Sequence, residues 1–192
     1  NIVRAALVNA STITGGSGND SITATQLDTD TLTLGAGADT LSVTGHVTSS
    51  SITFSGTSYL TVGSDVISSS LTGGSGSDSF YFGGQVSASS ITLGETNSNI
   101  VSGVNSVGNT LTGGSGRDSL LISTLSTRDS LTLGDGTNYA SFGNSVVSST
   151  LVGGAGVDVV YFSTANTSTI QLGAADDDLV FTASVTGTRA EL

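Results

Sequence analysis

The chain has 192 residues, a formal net charge of −11 and 27 glycines, and it contains no Pro, Cys, Met, Trp or Lys. The length suits one domain. The acidity argues against nucleic acid or an anionic membrane surface as partner, and no apolar run is long enough for membrane insertion. The 36% hydrophobic content is periodic rather than sparse, which separates the chain from a Ser/Gly-rich disordered linker. The lack of Cys suits an exported protein stabilised by other means. Beginning at Asn1 rather than Met, the chain reads as a section of something longer.

Taken in order, the chain repeats one pattern. Thr12-Ile13-Thr14 is followed by a Gly-rich turn, GGSGNDSI from Gly15, and then by the apolar pair Ile22 and Ala24. The turn returns as GGSGSDSF from Gly73, GGSGRDSL from Gly113 and GGAGVDVV from Gly153, with looser forms from Leu34, Leu133 and Leu172. The second glycine of the turn, or its equivalent, stands at Gly16, Gly35, Ser55, Gly74, Gly94, Gly114, Gly134, Gly154 and Gly173. Three residues before each of these is an aliphatic residue flanked mostly by Ser or Thr, from Ile13 and Leu32 to Leu151 and Ile170. Such alternation is a strand with one buried face. After the turn a second alternating pair follows, such as Leu41/Val43 or Phe80/Phe82. The unit starting near Ile100 is weaker, with Ser102 at its second place. A further apolar position comes later in many units, at Val47, Val86, Val146 and Val185.

A unit of this size cannot bury its own apolar face, whereas stacked copies can. The periodicity therefore predicts an all-β fold without helices, read as a right-handed parallel β-solenoid with nine coils of about 20 residues. At ~4.8 Å per coil the rod is about 43 Å long. Residues 1–192 form a single β-solenoid repeat domain, expected to be a section of a longer array. Ile2 and Val8 occupy the apolar positions of a preceding coil, and Thr188 to Leu192 begin another. The residue before the anchor alternates in size from Gly73 onwards (Gly73, Leu93, Gly113, Leu133, Gly153, Leu172), so the true period there is a pair of coils.

Four residues past each anchor the sequence places Asp20, Asp39, Tyr59, Asp78, Ser98, Asp118, Asn138, Asp158 and Asp177 at one corner of successive coils. Stacked carboxylates repel one another. A hard cation held by Asp oxygens and turn carbonyls would relieve that, and calcium suits flexible all-oxygen sites. The alternative is that Asp and Asn serve only as turn formers.

These turns resemble the GGxGxDxUx nonapeptide of the RTX, or haemolysin-type, calcium-binding β-roll. The resemblance implies secretion and calcium held between stacked turns. Carried over, the metal positions are Gly16, Gly18 and Asp20 with Asp39; Gly74, Gly76 and Asp78; Gly114, Gly116 and Asp118; and Gly154, Gly156 and Asp158 with Asp177. RTX coils are shorter and carry the motif at both turns, whereas here the opposite turn is Ser-rich. Fewer ions are therefore expected, with adjacent carboxylates only at Asp20/Asp39 and Asp158/Asp177. The mixture of imperfect coils, Ser/Thr richness and missing Lys also resembles surface-layer, adhesin and filament proteins of aquatic bacteria, and virion fibres of their phages.

The function expected is a non-enzymatic, calcium-stabilised structural repeat module, extracellular or on the cell surface. A phage tail fibre or other virion appendage is the alternative. Its partners would be other copies or neighbouring coils of the same protein, and cell-surface polysaccharide is a further candidate. The outward row Thr14, Thr33, Thr53, Thr72, Thr92, Thr112 and Thr132 also resembles an ice-binding array, and carbohydrate binding or cleavage along a sheet face is the remaining reading. An enzyme would need a base near its acids. The only His, His46, stands at a turn away from the Asp column, and Asp176-Asp177-Asp178 reads as a solvated or cation-binding turn. Arg117–Asp118 and Arg128–Asp129 read as surface pairs.

Overall fold

The computed structural model describes residues 1–95 and 97–192. Each coil contains a short strand with an aliphatic residue between two hydroxyl residues, as in Ser70–Thr72 and Thr110–Thr112. That alternation turns one side chain inward and two outward. Ten strands at this place in the coil, from Thr12–Thr14 to Arg189–Glu191, stack in parallel into one sheet, the hydroxyl flanks giving way to Val152, Gln171, and Arg189 with Glu191 in the last three. Ile13, Leu32, Ile52, Leu71 and their successors down to Ile170 lie one above another. All but the half-buried Ile13 are buried.

Beyond the Gly-rich turn a second strand follows, as in Asp78–Phe82 and Asp118–Ile122, and after a short bend a third, as in Gln85–Ser87 and Leu125–Thr127. In Ser21–Asp28 and Val159–Asn166 the two are one continuous strand. Together these columns make a 16-stranded parallel sheet. Its inward residues meet those of the ten-stranded sheet in one continuous core. Burying each Leu, Ile or Phe there contributes about 1.5–3 kcal/mol. Phe142 and Phe162 stack at 5.0 Å between ring centroids, and Phe162 and Phe181 at 5.4 Å. No described residue is helical. The chain is an all-β parallel β-solenoid of about nine turns, about 20 residues apart.

Two register assignments differ from the sequence reading. In the fifth coil the inward pair is Val101 and Gly103, which stand over Phe80 and Leu120 and beside Ile122, so Ile100 and Ser102 face outward. The turn before them is one residue longer, and the strand keeps its pairing by sliding. At the start, Ile2 pairs with Ser21 and is exposed, while Val3 and Val8 take the places over Ile22 and Leu27. Arg189–Glu191 does begin a further coil, pairing with Thr169–Gln171.

The turn that returns to the ten-stranded sheet has its own rule. One residue in each coil is left-handed: Thr29 at φ 60°, Ser68 at 51°, Ala88 at 49° and Gly108 at 67° are examples. The next residue is small, polar and buried, and its side-chain oxygen accepts the backbone N–H of the same residue one coil earlier. Ser11 N–H donates to Asp30 at 2.8 Å, Asp30 N–H to Ser50 at 3.1 Å and Ser69 N–H to Ser89 at 3.1 Å. Ser89 N–H donates to Asn109 at 2.8 Å, Asn109 N–H to Asp129 at 2.8 Å and Asp129 N–H to Ser149 at 3.1 Å. Non-Gly residues in the left-handed region cost roughly 1–2 kcal/mol each, and the ladder offsets that by giving buried donors partners. In the fifth and sixth coils it also reaches into the core. There Ser106 and Ser126 replace Val, bonded by Asn109 Nδ2 and to Asp129 Oδ2.

Two outcomes follow from the packing. Gly103 leaves room for a methyl group, whose nearest neighbours on Phe82 and Ile122 would be 3.8 Å away. Gly103→Ala is therefore expected to raise stability by about 0.5–1 kcal/mol in urea unfolding. Asp129→Ala strands the Asn109 N–H and the Ser126 hydroxyl and is expected to cost about 2–4 kcal/mol, equally with and without calcium.

Candidate metal centre

At the Gly-rich corner the side chains brought into one column are Asp20, Asp39, Ser58, Asp78, Asn99, Asp118, Asn138, Asp158 and Asp177. Ser58 and Asn99 stand where the sequence reading put Tyr59 and Ser98. Both turns differ by one residue from the average, and Tyr59 is consequently on the outer face. Every member except Asp177 is at least nine-tenths buried.

The column forms a second ladder. Along most of the column a side-chain oxygen accepts the backbone N–H of the column residue one coil earlier, 19 to 21 residues back. Examples are Asp20 N–H to Asp39 at 2.8 Å, Asp78 N–H to Asn99 at 3.0 Å, Asp118 N–H to Asn138 at 2.9 Å and Asp158 N–H to Asp177 at 2.9 Å. Ser58 instead donates to the Gly56 carbonyl at 3.5 Å, and Asp78 Oδ2 accepts the Gly94 N–H at 3.2 Å. The second oxygen of Asp20 and of Asp118 accepts the N–H of its own turn's second glycine, Gly16 at 3.1 Å and Gly114 at 3.0 Å. The first glycine of the motif has a steric role here. A Cβ at Gly15, Gly73, Gly113 or Gly153 would overlap the carboxylate of Asp20, Asp78, Asp118 or Asp158. In the intervening coils Leu93, Leu133 and Leu172 fill that corner from inside, which is the cause of the two-coil period.

The other motif glycines line the corner with carbonyls. Gly74, Gly114 and Gly154 press against the carbonyls of Gly56, Gly94 and Gly134, and Gly116 and Gly156 against those of Asn97 and Gly136. Gly76 meets Thr57 instead, while the Gly16 and Gly18 carbonyls lie against Gly35 and Gly37. Turn oxygens therefore stack beside the carboxylate column.

Satisfaction along the column is uneven. From Asp78 to Asp158 acids alternate with amides, and Asn99 Nδ2 donates to Asp118 at 2.8 Å while Asn138 Nδ2 donates to the Gly134 carbonyl at 2.8 Å. Only Asp20/Asp39 and Asp158/Asp177 set one carboxylate directly on another. Among the described residues the buried side-chain atoms without a hydrogen-bond partner are four carboxylate oxygens: Oδ2 of Asp39, Asp158 and Asp177, and Oδ1 of Asp78. Three of the four belong to the two carboxylate pairs. Such oxygens fit a hard cation. No three acidic or His side chains converge among the described residues, so a cation here would also draw on turn carbonyls.

The titration behaviour agrees. The Gly16 N–H holds the Asp20 carboxyl below its ordinary range. Burial pushes Asp78 and Asp118 above it, and pushes Asp158 up to about 6, with Asp177 adding to the rise. Asp118 and Asp129 are buried ladder members rather than halves of surface pairs with Arg117 and Arg128. His46 lies 3.8 Å from Asp28 at a partly exposed turn, away from the column.

The raised groups fix a pH dependence. Unfolded carboxylates titrate near ~3.9, so between there and about 6 the folded chain retains a proton at Asp158 that the unfolded chain has lost. Stability without calcium should therefore fall as pH rises through that window. Thermal midpoints in chelator are expected to drop between about pH 4.5 and pH 7; a midpoint that rises contradicts the assignment.

The family model described as "RTX calcium-binding nonapeptide repeat (4 copies)" matches residues 10–41 and 105–121. The first segment contains Asp20 and Asp39, the second Asp118. No curated protein and no solved structure matches the chain. The matched segments and the stacked parallel coils fit an RTX-type β-roll, whose nonapeptide repeats are calcium-binding.

Proposed function

We propose that the chain is a non-enzymatic structural module of a secreted or cell-surface protein, a stiff rod that spaces or tiles a surface or fibre. Calcium is held at the two carboxylate pairs, by Asp20 with Asp39 and by Asp158 with Asp177, together with turn carbonyls. The observation that carries this reading is the set of partnerless buried oxygens, concentrated where carboxylate stands on carboxylate. Bound there, calcium supplies positive charge that cancels the repulsion and coordinates oxygens the chain leaves unsatisfied. Asp78 and Asp118, set among Ser and Asn, hold an ion less strongly or not at all.

RTX repeat solenoids are typically structural and non-catalytic, and RTX repeat proteins are typically secreted. The separation of His46 from the acid column supports a module without acid–base chemistry at that column. On this reading the partners are further copies of the chain or adjoining coils of a longer array.

The test is thermal unfolding in chelator and then in millimolar calcium. Two sites each filled to 100 times Kd add about 5 kcal/mol, which moves the midpoint of a domain this size by about 10–20 °C. Asp39→Asn keeps the acceptor for the Asp20 N–H while removing one charge, and is expected to remove about half of the shift. Asp39→Asn with Asp177→Asn should abolish it. An unshifted wild-type midpoint overturns the reading.

A further inference from the structure

We infer that the outer face of the 16-stranded sheet is a self-complementary surface on which a second copy of this chain packs face to face. The inference rests on the structural-module reading and names the surface that module would use.

All four tyrosines of the chain, Tyr59, Tyr81, Tyr139 and Tyr161, point outward from the second strand of their coils. They fall in two rows. The first runs Tyr59, Ser79, Ile100, Ser119, Tyr139 through paired positions. The second runs Tyr81, Ser102, Leu121, Ser141, Tyr161. In each row a large side chain alternates with Ser, and the rows are one coil out of phase. The surface is a chequerboard of knobs repeating at roughly 10 Å, two coil rises. Tyr59 is 50%, Tyr81 45% and Tyr139 40% exposed. Between the knobs lie open depressions. One of about 390 Å³ is lined by Ile100, Ser119 and Tyr139, with Arg117 and Asp118 at its turn-side edge. Another of about 430 Å³ surrounds Leu121, with Ser102 and Ser141.

Three features select a second copy as the occupant. Because knob and hole share one period, a two-fold-related face offset by one coil sets each large side chain against a Ser, the isologous arrangement. Neither row contains a charged residue from Tyr59 to Tyr161, so two chains of net charge −11 can meet here without opposing acids. The surface is also a poor platform for a flat polysaccharide chain, since the Tyr139 and Tyr161 rings, 5.8 Å apart, are tilted by 45° rather than coplanar. The opposite sheet offers no comparable knobs, its outward row being Thr72, Thr92, Thr112 and Thr132.

The experiment is sedimentation equilibrium of the full chain in millimolar calcium, at about 1–100 µM. A concentration-dependent dimer is expected. Tyr81→Asp with Leu121→Asp should weaken it at least about 100-fold, Tyr81→Ser with Leu121→Ser should weaken it less, and Thr92→Asp with Thr112→Asp should leave it unchanged. Circular dichroism in calcium checks that each variant folds. A strict monomer, or a dimer indifferent to the Tyr81/Leu121 variants, overturns the proposal. So does a monomer that pellets with insoluble polysaccharide in a Tyr81-dependent manner. The calcium-induced midpoint shift is read on the same samples. A monomer that keeps the shift removes the interface alone, whereas a dimer without the shift removes the calcium reading alone.

Discussion

The structure depends on side-chain oxygens stacked at the Gly-rich and the Ser-rich turn, most of which receive a backbone N–H from the coil before. Parallel strands and much of the turn backbone give their amides carbonyl partners in the neighbouring coil, but the buried residue at each of these two turns directs its N–H to a side chain instead. An unpaired buried N–H costs about as much as a lost hydrogen bond or more. The two ladders, one through Asp20, Asp39 and Asn99 and the other through Asp30, Ser69 and Asn109, remove that cost coil by coil. Each side chain serves a residue about 20 positions away, so no coil is complete by itself. The left-handed residue before each rung at the Ser-rich turn is tolerated because the rung over-determines it.

The two-coil period has its origin at the same corner. In coils that begin the turn with two glycines, the motif Asp tucks its carboxylate into the space that a first-glycine Cβ would occupy. In the coils between, a Leu occupies the corner from the core side, as Leu93 and Leu133 do. From Asp78 to Asp158 corner chemistry thus alternates between acid and aliphatic residue, and the ladder between carboxylate and amide, whereas the Leu34 and Leu172 coils carry both, with Asp39 and Asp177. The outer face carries the same beat, with Tyr81, Leu121 and Tyr161 in the double-glycine coils and Tyr59, Ile100 and Tyr139 in the others. Interior packing and outer relief repeat together every second coil.

The aliphatic column from Ile13 to Ile170 was legible from sequence because its spacing is nearly strict and no other residue type interrupts it. The acid column was legible wherever the turn has its usual length. It was misread at Tyr59 and Ser98 because counting from the glycines assumes a constant turn, whereas the molecule holds constant the buried polar place in the column. Aligning the coils on their inward pairs, Leu60/Val62 and Val101/Gly103, would have found Ser58 and Asn99. The Ser-side ladder left a signal too: two residues before each column aliphatic stands an oxygen-bearing side chain, from Asp30 and Ser50 to Ser149 and Ser168. In a chain so rich in Ser and Thr that regularity does not stand out. The clustering of all four tyrosines needed the register of every coil, including the slipped one.

Asn99 and Asn138 show that an amide satisfies the ladder as well as a carboxylate does, and without placing a charge in a buried corner. Asp39 and Asp177 are therefore not explained by hydrogen bonding. As acids they set a second negative charge on Asp20 and Asp158, and Asp39 and Asp177 each keep an oxygen without a partner; Asp177 also adds to the rise that burial gives Asp158, to about 6. Without a cation each pair is worse than the Asn variant would be. With a divalent cation the order reverses, because two carboxylates and adjacent turn carbonyls make a stronger oxygen site than a carboxylate and an amide. On the proposed calcium reading the acids at these two places exchange unconditional stability for stability tied to the cation, and they do so in the first and last Asp-bearing stretches of the column. The coils between, held by alternating acid and amide, do not need the ion to stay in register. On that reading a bound ion would tighten both flanks of a rod whose middle is held together by its own hydrogen bonds.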